Sequence, residues 1–140
     1  MRLIVLALMA ALAGCGSTPP RVEVSDAWTR ATAPGQSSGA VYATIVNDGG
    51  ADQLVGVSTP AGGAMLHSND PEGGVARMRM VADVPLAAQS RLELAPGAMH
   101  VMLSGLKAPL VAGEHFPVTF RFAKAGPRTV EVAIVAAGAR

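Results

Sequence analysis

Gly39-Ala-Val-Tyr-Ala-Thr-Ile-Val46, followed at once by Asn47-Asp-Gly-Gly50, decides the fold class. The first eight residues are rich in β-branched and aromatic side chains, and the next four are turn formers, which is the signature of a strand that ends abruptly. The same pattern recurs on both sides. Runs of β character cover residues 21–28, 53–59, 65–68, 75–82, 91–94, 99–103, 116–123 and 128–135, separated by stretches rich in Gly, Pro, Asn and Asp. Arg91-Leu-Glu-Leu94 alternates cleanly. In residues 75–82, Arg77 and Arg79 fall on one face and Met78 and Met80 on the other. No window of twelve or more residues carries a helical stripe. Many short strands at this spacing predict an all-β antiparallel sandwich or small barrel, built as one domain over residues 22–135.

Half of the 140 residues are apolar but only 4% are aromatic, so the core must come mainly from Val, Leu, Ile and Ala. There is no basic stripe or acidic run, which excludes nucleic acid as an expected partner. The chain starts MRLIVLALMAALAG, with Arg2 before an apolar run over residues 3–12. That run is half the length of about 20 residues needed to span a bilayer, so residues 1–14 read as a signal peptide. Leu12-Ala-Gly-Cys15 resembles the lipobox of bacterial lipoproteins. This implies cleavage before Cys15, lipid on its thiol, and a flexible tether over residues 15–21. The expected location is the cell envelope, anchored to the membrane through lipid and facing the periplasm or the cell exterior. Loss of Arg2 leaves ten bases against ten acids.

Cys15 is the only cysteine. Once lipidated, it leaves the domain without thiol redox chemistry, a cysteine nucleophile or a thiolate metal site. A phosphate loop, a nucleophile elbow and well-spaced paired carboxylates are also missing from the sequence, so no enzyme is expected.

The informative residues are the three His and five Met of the domain. In His100-Val101-Met102 the outer two side chains share a strand face and can point at one atom. Met78 lies in a strand with Met80 beside it, and His67 is expected where a short run meets the loop Ser68-Asn-Asp-Pro71. Two imidazoles and two thioethers form a neutral, soft donor set suited to Cu(I) rather than Zn, Mg or Ca.

The spacing His67, ten residues, Met78, twenty-one residues, His100, one residue, Met102 resembles the signature of the periplasmic copper chaperones of the PCu(A)C family. Further matching stretches are Asp26-Ala-Trp-Thr-Arg-Ala31, Gly39-Ala-Val-Tyr42, Ala51-Asp-Gln-Leu54, Leu94-Ala-Pro-Gly97 and His100-Val-Met-Leu-Ser-Gly-Leu-Lys107. The resemblance implies a cupredoxin-like Greek-key barrel binding one Cu(I) per domain through His67, Met78, His100 and Met102. It further implies delivery of the copper to an acceptor protein, a cytochrome c oxidase subunit or its assembly factor. The chain departs from the family where a Met often follows the first His closely: Ser68 and Asn69 stand there, and Met65 precedes His67 instead. Its ending, Ala136-Ala-Gly-Ala-Arg140, lacks the His- and Met-rich tail that takes Cu(II) in some members.

Each of these residues also has a plainer reading. A single Met on a strand is usually core filler, and a structural role is the expectation for Met80 and Met99, with shielding of the site as the alternative for Met80, which shares a face with Met78. His115 is expected at the surface in a turn, Trp28 as a core anchor, and Asp70 or Glu72 as loop acids able to orient an imidazole. Two other functions compete with copper delivery. A blue-copper electron carrier would need a Cys ligand that the domain lacks; a metal-free envelope interaction module would bind no copper at all.

Overall fold

The computed structural model describes residues 16–72 and 75–140. The signal segment and Cys15 lie outside them, and Asp70, Glu72 and Arg77 are described only as backbone. Ten strands follow in order: β1 (Val22–Arg30), β2 (Gly39–Asn47), β3 (Asp52–Ser58), β4 (Gly63–Glu72), β5 (Val75–Met80), β6 (Val84–Leu86), β7 (Ser90–Leu94), β8 (His100–Ser104), β9 (His115–Phe122) and β10 (Gly126–Val135). The all-β expectation is met. The strands pair in the order β5-β4-β8-β2-β1-β10-β9-β3-β6, with β7 on the other half of β2, so one long sheet curls into a half-barrel.

Every pairing is antiparallel except β1 with β10, which run parallel through Trp28↔Ala133 to Arg30↔Val135. That pair joins the two ends of the chain, a contact no local pattern announces. In β1 the alternation breaks at Asp26, whose φ of 49° marks an irregularity in the pairing with β2 between Ser25 and Trp28. Beyond it Trp28 and Thr29, adjacent in sequence and on opposite faces, are both buried, Thr29 opposite the core residue Val41 and Trp28 opposite Tyr42.

The core is aliphatic as the composition requires: Val41, Ile45, Leu54, Val101, Leu103, Val118 and Val132 are fully enclosed, and Phe120 is the one aromatic among the fully buried side chains. Three expectations change. β4 is ten residues long rather than four, so Ser68 to Pro71 is strand and not loop. Its second half pairs only with β5, while β8 pairs with Gly63 to His67, and a Pro is tolerated where one side of the strand has no ladder to complete. His115 is exposed as expected but opens β9 rather than sitting in a turn. The stretch 15–21, read as a tether, is fixed from Pro19 onward: Gly50 N donates to Pro19 O at 3.1 Å and Asp48 N to Arg21 O at 3.0 Å. The fit there is so close that a Cβ on Gly50 would lie 1.9 Å from Thr18 O.

One buried carboxylate ties the β9–β10 turn to β3. Asp52 Oδ1 accepts from Gln53 N and Lys124 N, and Oδ2 from Ala125 N, each at 2.8 Å. Burial pushes this carboxyl up, the backbone N–H donors of Ala125, Gln53 and Lys124 pull it down, and the net result lies below the ordinary carboxylate value. A depressed folded-state value contributes stability above the unfolded-state value, and this is lost as pH falls through the folded one. Asp52→Ala is therefore expected to cost about 3 kcal/mol at neutral pH by urea unfolding. The gap between variant and wild type should narrow below about pH 4.

Candidate metal centre

The four candidate donors come from three adjacent strands. β4 carries His67, β8 carries His100 and Met102, and β5 carries Met78. The register fixes their faces. His67 stands directly opposite His100, Met65 opposite Met102, His67 opposite Met80, and Asn69 opposite Met78. Directly opposed residues share a face, as do residues two apart. All of these therefore lie on one side of the sheet, while Leu66, Val101 and Leu103 turn to the core on the other.

The two imidazoles meet edge to face, with ring centroids 6.1 Å apart. His100 is nearly buried, and its Nδ1 lies 3.1 Å from Ala98 O. A ring nitrogen facing a carbonyl must be the protonated one, which leaves Nε2 with a free lone pair. His67 Nδ1 is buried and has no hydrogen-bond partner. A buried polar atom without a partner is costly, and a metal ion would satisfy it.

An open cavity of 340 Å³ adjoins the imidazoles. Met78, His100 and Met102 line it together with Asn69, Tyr42 and Arg30. His67 does not line this cavity and joins the group only through its contact with His100. Correcting the sequence reading, His67 sits mid-strand between β8 and β5 rather than at a loop. Met78 is the most exposed of the four candidate donors, at 58%.

Tyr42, Arg30 and Ala98 are site residues that sequence reasoning missed. Tyr42 packs 6.4 Å from His100, and Trp28 packs 4.7 Å from Tyr42. The Arg30 guanidinium lies over both rings, at 5.3 Å from Trp28 and 5.8 Å from Tyr42. Arg140 closes the outer side of Trp28 at 4.6 Å and pairs with Asp26, whose carboxyl it holds below its usual value. Trp28 is thus buried by stacking as well as by packing. The whole stack backs the imidazole of His100. Only Ala98, two residues before His100, had a local signal, the turn Ala95-Pro-Gly97.

No group of three or more His, Cys, Asp or Glu that could hold a metal occurs among the described residues. A zinc or calcium centre of the usual donors is therefore not built there. The available donors are nitrogen and thioether sulfur.

The family model described as "Putative lipoprotein LpqE-like" matches residues 22–134. The chain belongs to the LpqE-like family. Among its relatives is "Putative lipoprotein Lxx21020" of Leifsonia xyli subsp. xyli, 33% identical over 93% of this chain and 86% of that one. Two solved structures extend the likeness of this LpqE-like protein. The copper-bound PCuAC domain from PmoF2 has a TM-score of 0.68 and 26% identity, covering 82% of this chain and 92% of that one. The Cu(I) form of DR1885 from Deinococcus radiodurans has a TM-score of 0.63 and 31% identity, covering 88% and 83%. The resemblance to the PCu(A)C family and the cupredoxin-like fold read from the sequence are both borne out.

Proposed function

We propose that this LpqE-like protein is an extracytoplasmic Cu(I) chaperone that holds one ion through His67, Met78, His100 and Met102 and passes it to an acceptor protein. The observation that carries this reading is the opposed pair His67 and His100, with His67 Nδ1 buried and unpartnered and His100 oriented through Nδ1 by the Ala98 carbonyl, flanked on the same face by thioethers. The copper-bound neighbours support it. His100 would offer Nε2 and His67 its unpaired Nδ1. Neutral donors leave the bound ion with its full positive charge, which is tolerable at an open site and favours hand-over to a better donor set.

Transfer would proceed by ligand exchange. Met78 is the most exposed of the four donors and lies on the edge strand β5, so an incoming Cys, His or Met would displace it first. The recipient suggested by the family resemblance is a cytochrome c oxidase subunit or its assembly factor. A lipid anchor at Cys15 would further define the approach. The chain enters the domain beside Asn47, at the far end of β2 from the residues that pair with Met102. Seven residues of strand separate the two ends by about 23 Å, so the copper end would point away from the membrane.

An anaerobic Cu(I) titration against a chromogenic chelator tests the reading. Wild type should retain one equivalent. Met102→Leu should fold normally yet bind about tenfold to a hundredfold more weakly, since a volume-conserving swap removes only the sulfur. Unchanged binding in Met102→Leu would remove Met102 from the donor set.

A further inference from the structure

Three of the four large apolar side chains exposed among the described residues are methionines of one hairpin: Met65, Met78 and Met80 at 48%, 58% and 69%. Only Met78 is used by the site proposed above. Methionine is ordinarily a gap-filler of cores, and two unused thioethers standing in solvent beside a candidate copper centre call for another account. Their positions are not scattered. Met80 lies directly across from His67, and Met65 directly across from Met102. Met65 and His67 are two apart on β4, so Met80 and Met65 are diagonal neighbours around His67.

We infer that Met65 and Met80, sharing His67 with the resting site, form a second Cu(I) station through which the ion leaves; this rests on the four-donor reading above. Diagonal neighbours on a sheet lie about 7–8 Å apart, within reach of long side chains. A thioether on three rotatable bonds closes such a gap easily. Both methionines also line a separate cavity of 220 Å³ whose other walls include Val55, Val57, Leu66 and Val81. Its apolar walls offer Cu(I) no competing oxygen or nitrogen side chain. The two cavities divide the sulfurs of this face: Met78 and Met102 line one, Met65 and Met80 the other.

The step exchanges only metal–ligand bonds. His67 stays bound while Met78, Met102 and His100 let go and Met65 and Met80 take their places. Copper remains Cu(I), and no proton or electron moves. Because His67 is common to both, the stations cannot be filled together, and the stoichiometry stays at one. Met80 lies on the edge strand β5, so an acceptor can reach the second station from the side without entering the resting cavity.

The test compares wild type with the double variant Met65→Leu/Met80→Leu. Both positions are exposed and the swap conserves volume, so the fold should be kept, as circular dichroism would check. The variant should still hold one equivalent of Cu(I), with affinity within about threefold of wild type. Stopped-flow transfer to a chromogenic chelator should be about tenfold slower, because an intermediate that lowers the barrier is gone. In wild type carrying methyl-labelled methionine, Cu(I) should shift the Met65 and Met80 signals along with those of Met78 and Met102, and leave Met99 in place. Transfer at the wild-type rate would overturn the station while leaving the resting site intact. Loss of the equivalent in the double variant would also overturn it, because the pair would then belong to the resting site. A wild type that holds no Cu(I) would sink both readings.

Discussion

His100→Ala is expected to weaken Cu(I) binding on the order of a thousandfold, well beyond the tenfold to hundredfold typical of losing a residue that merely supports a ligand. His100 is the best prepared of the four proposed donors. Its ring is nearly buried, pinned through Nδ1 to the Ala98 carbonyl and backed by Tyr42, so almost no ordering remains to be done when the metal arrives. The thioethers are mobile and exposed by comparison, and each should matter less. Folding should change little, because β8 is held by Val101 and Leu103 on its other face, both fully buried. The apo variant should therefore melt within a few degrees of wild type. A ligand that binds only the native state stabilises it by RT ln(1 + [L]/Kd), about 4 kcal/mol at a thousand times Kd. Anaerobic Cu(I) should accordingly raise the melting temperature of wild type by several degrees and that of His100→Ala by almost nothing. An equal rise in both would exclude His100 as a ligand.

How far the sequence discloses such a site depends on which contacts are local. His100 and Met102 were legible because alternation is a property of the backbone: with Val101 and Leu103 toward the core, the residues that alternate with them share the opposite face. The twenty-one residues between Met78 and His100 in sequence hide that β4 lies between β5 and β8 in space, and only the register reveals that His67 stands opposite a residue of each. Asn69, Asp70 and Pro71 misled because turn chemistry is a statement about average contexts. Here a hairpin arm extends past the end of β8, and one free edge removes the usual objection to those residues. Tyr42, Arg30 and Trp28 were invisible as site residues, since they join His100 through the β1–β2 pairing and through side-chain stacking. In the sequence Met65 is only a residue that precedes His67, and Met80 a residue that shares a face with Met78. Their meaning comes from facing Met102 and His67 across the strands.

Phe120→Ala should be the most damaging single change to the fold, costing about 4 kcal/mol. Phe120 is the largest of the fully buried side chains. It lies on β9, opposite Arg128 of β10 on one side and Val57 of β3 on the other, so it sits where β9 is paired on both edges. The residues that share its core cluster, Phe122 among them, are already enclosed, and many of the aliphatic ones are stiff β-branched Val and Ile, so the space is poorly refilled. A cavity would remain, adding to the lost transfer energy. For a domain with a stability of about 5–15 kcal/mol, that is a large share. The effect on copper should go the other way. β9 is separated from β8 in the sheet by β10, β1 and β2, and none of the four proposed donors lies on it. Below its unfolding transition, Phe120→Ala should bind Cu(I) with near-wild-type affinity while unfolding at much lower urea. His100→Ala should do the reverse. Together the two variants separate the frame from the site, and a Phe120→Ala protein that stayed folded but lost copper would show that the donor geometry depends on the far half of the barrel.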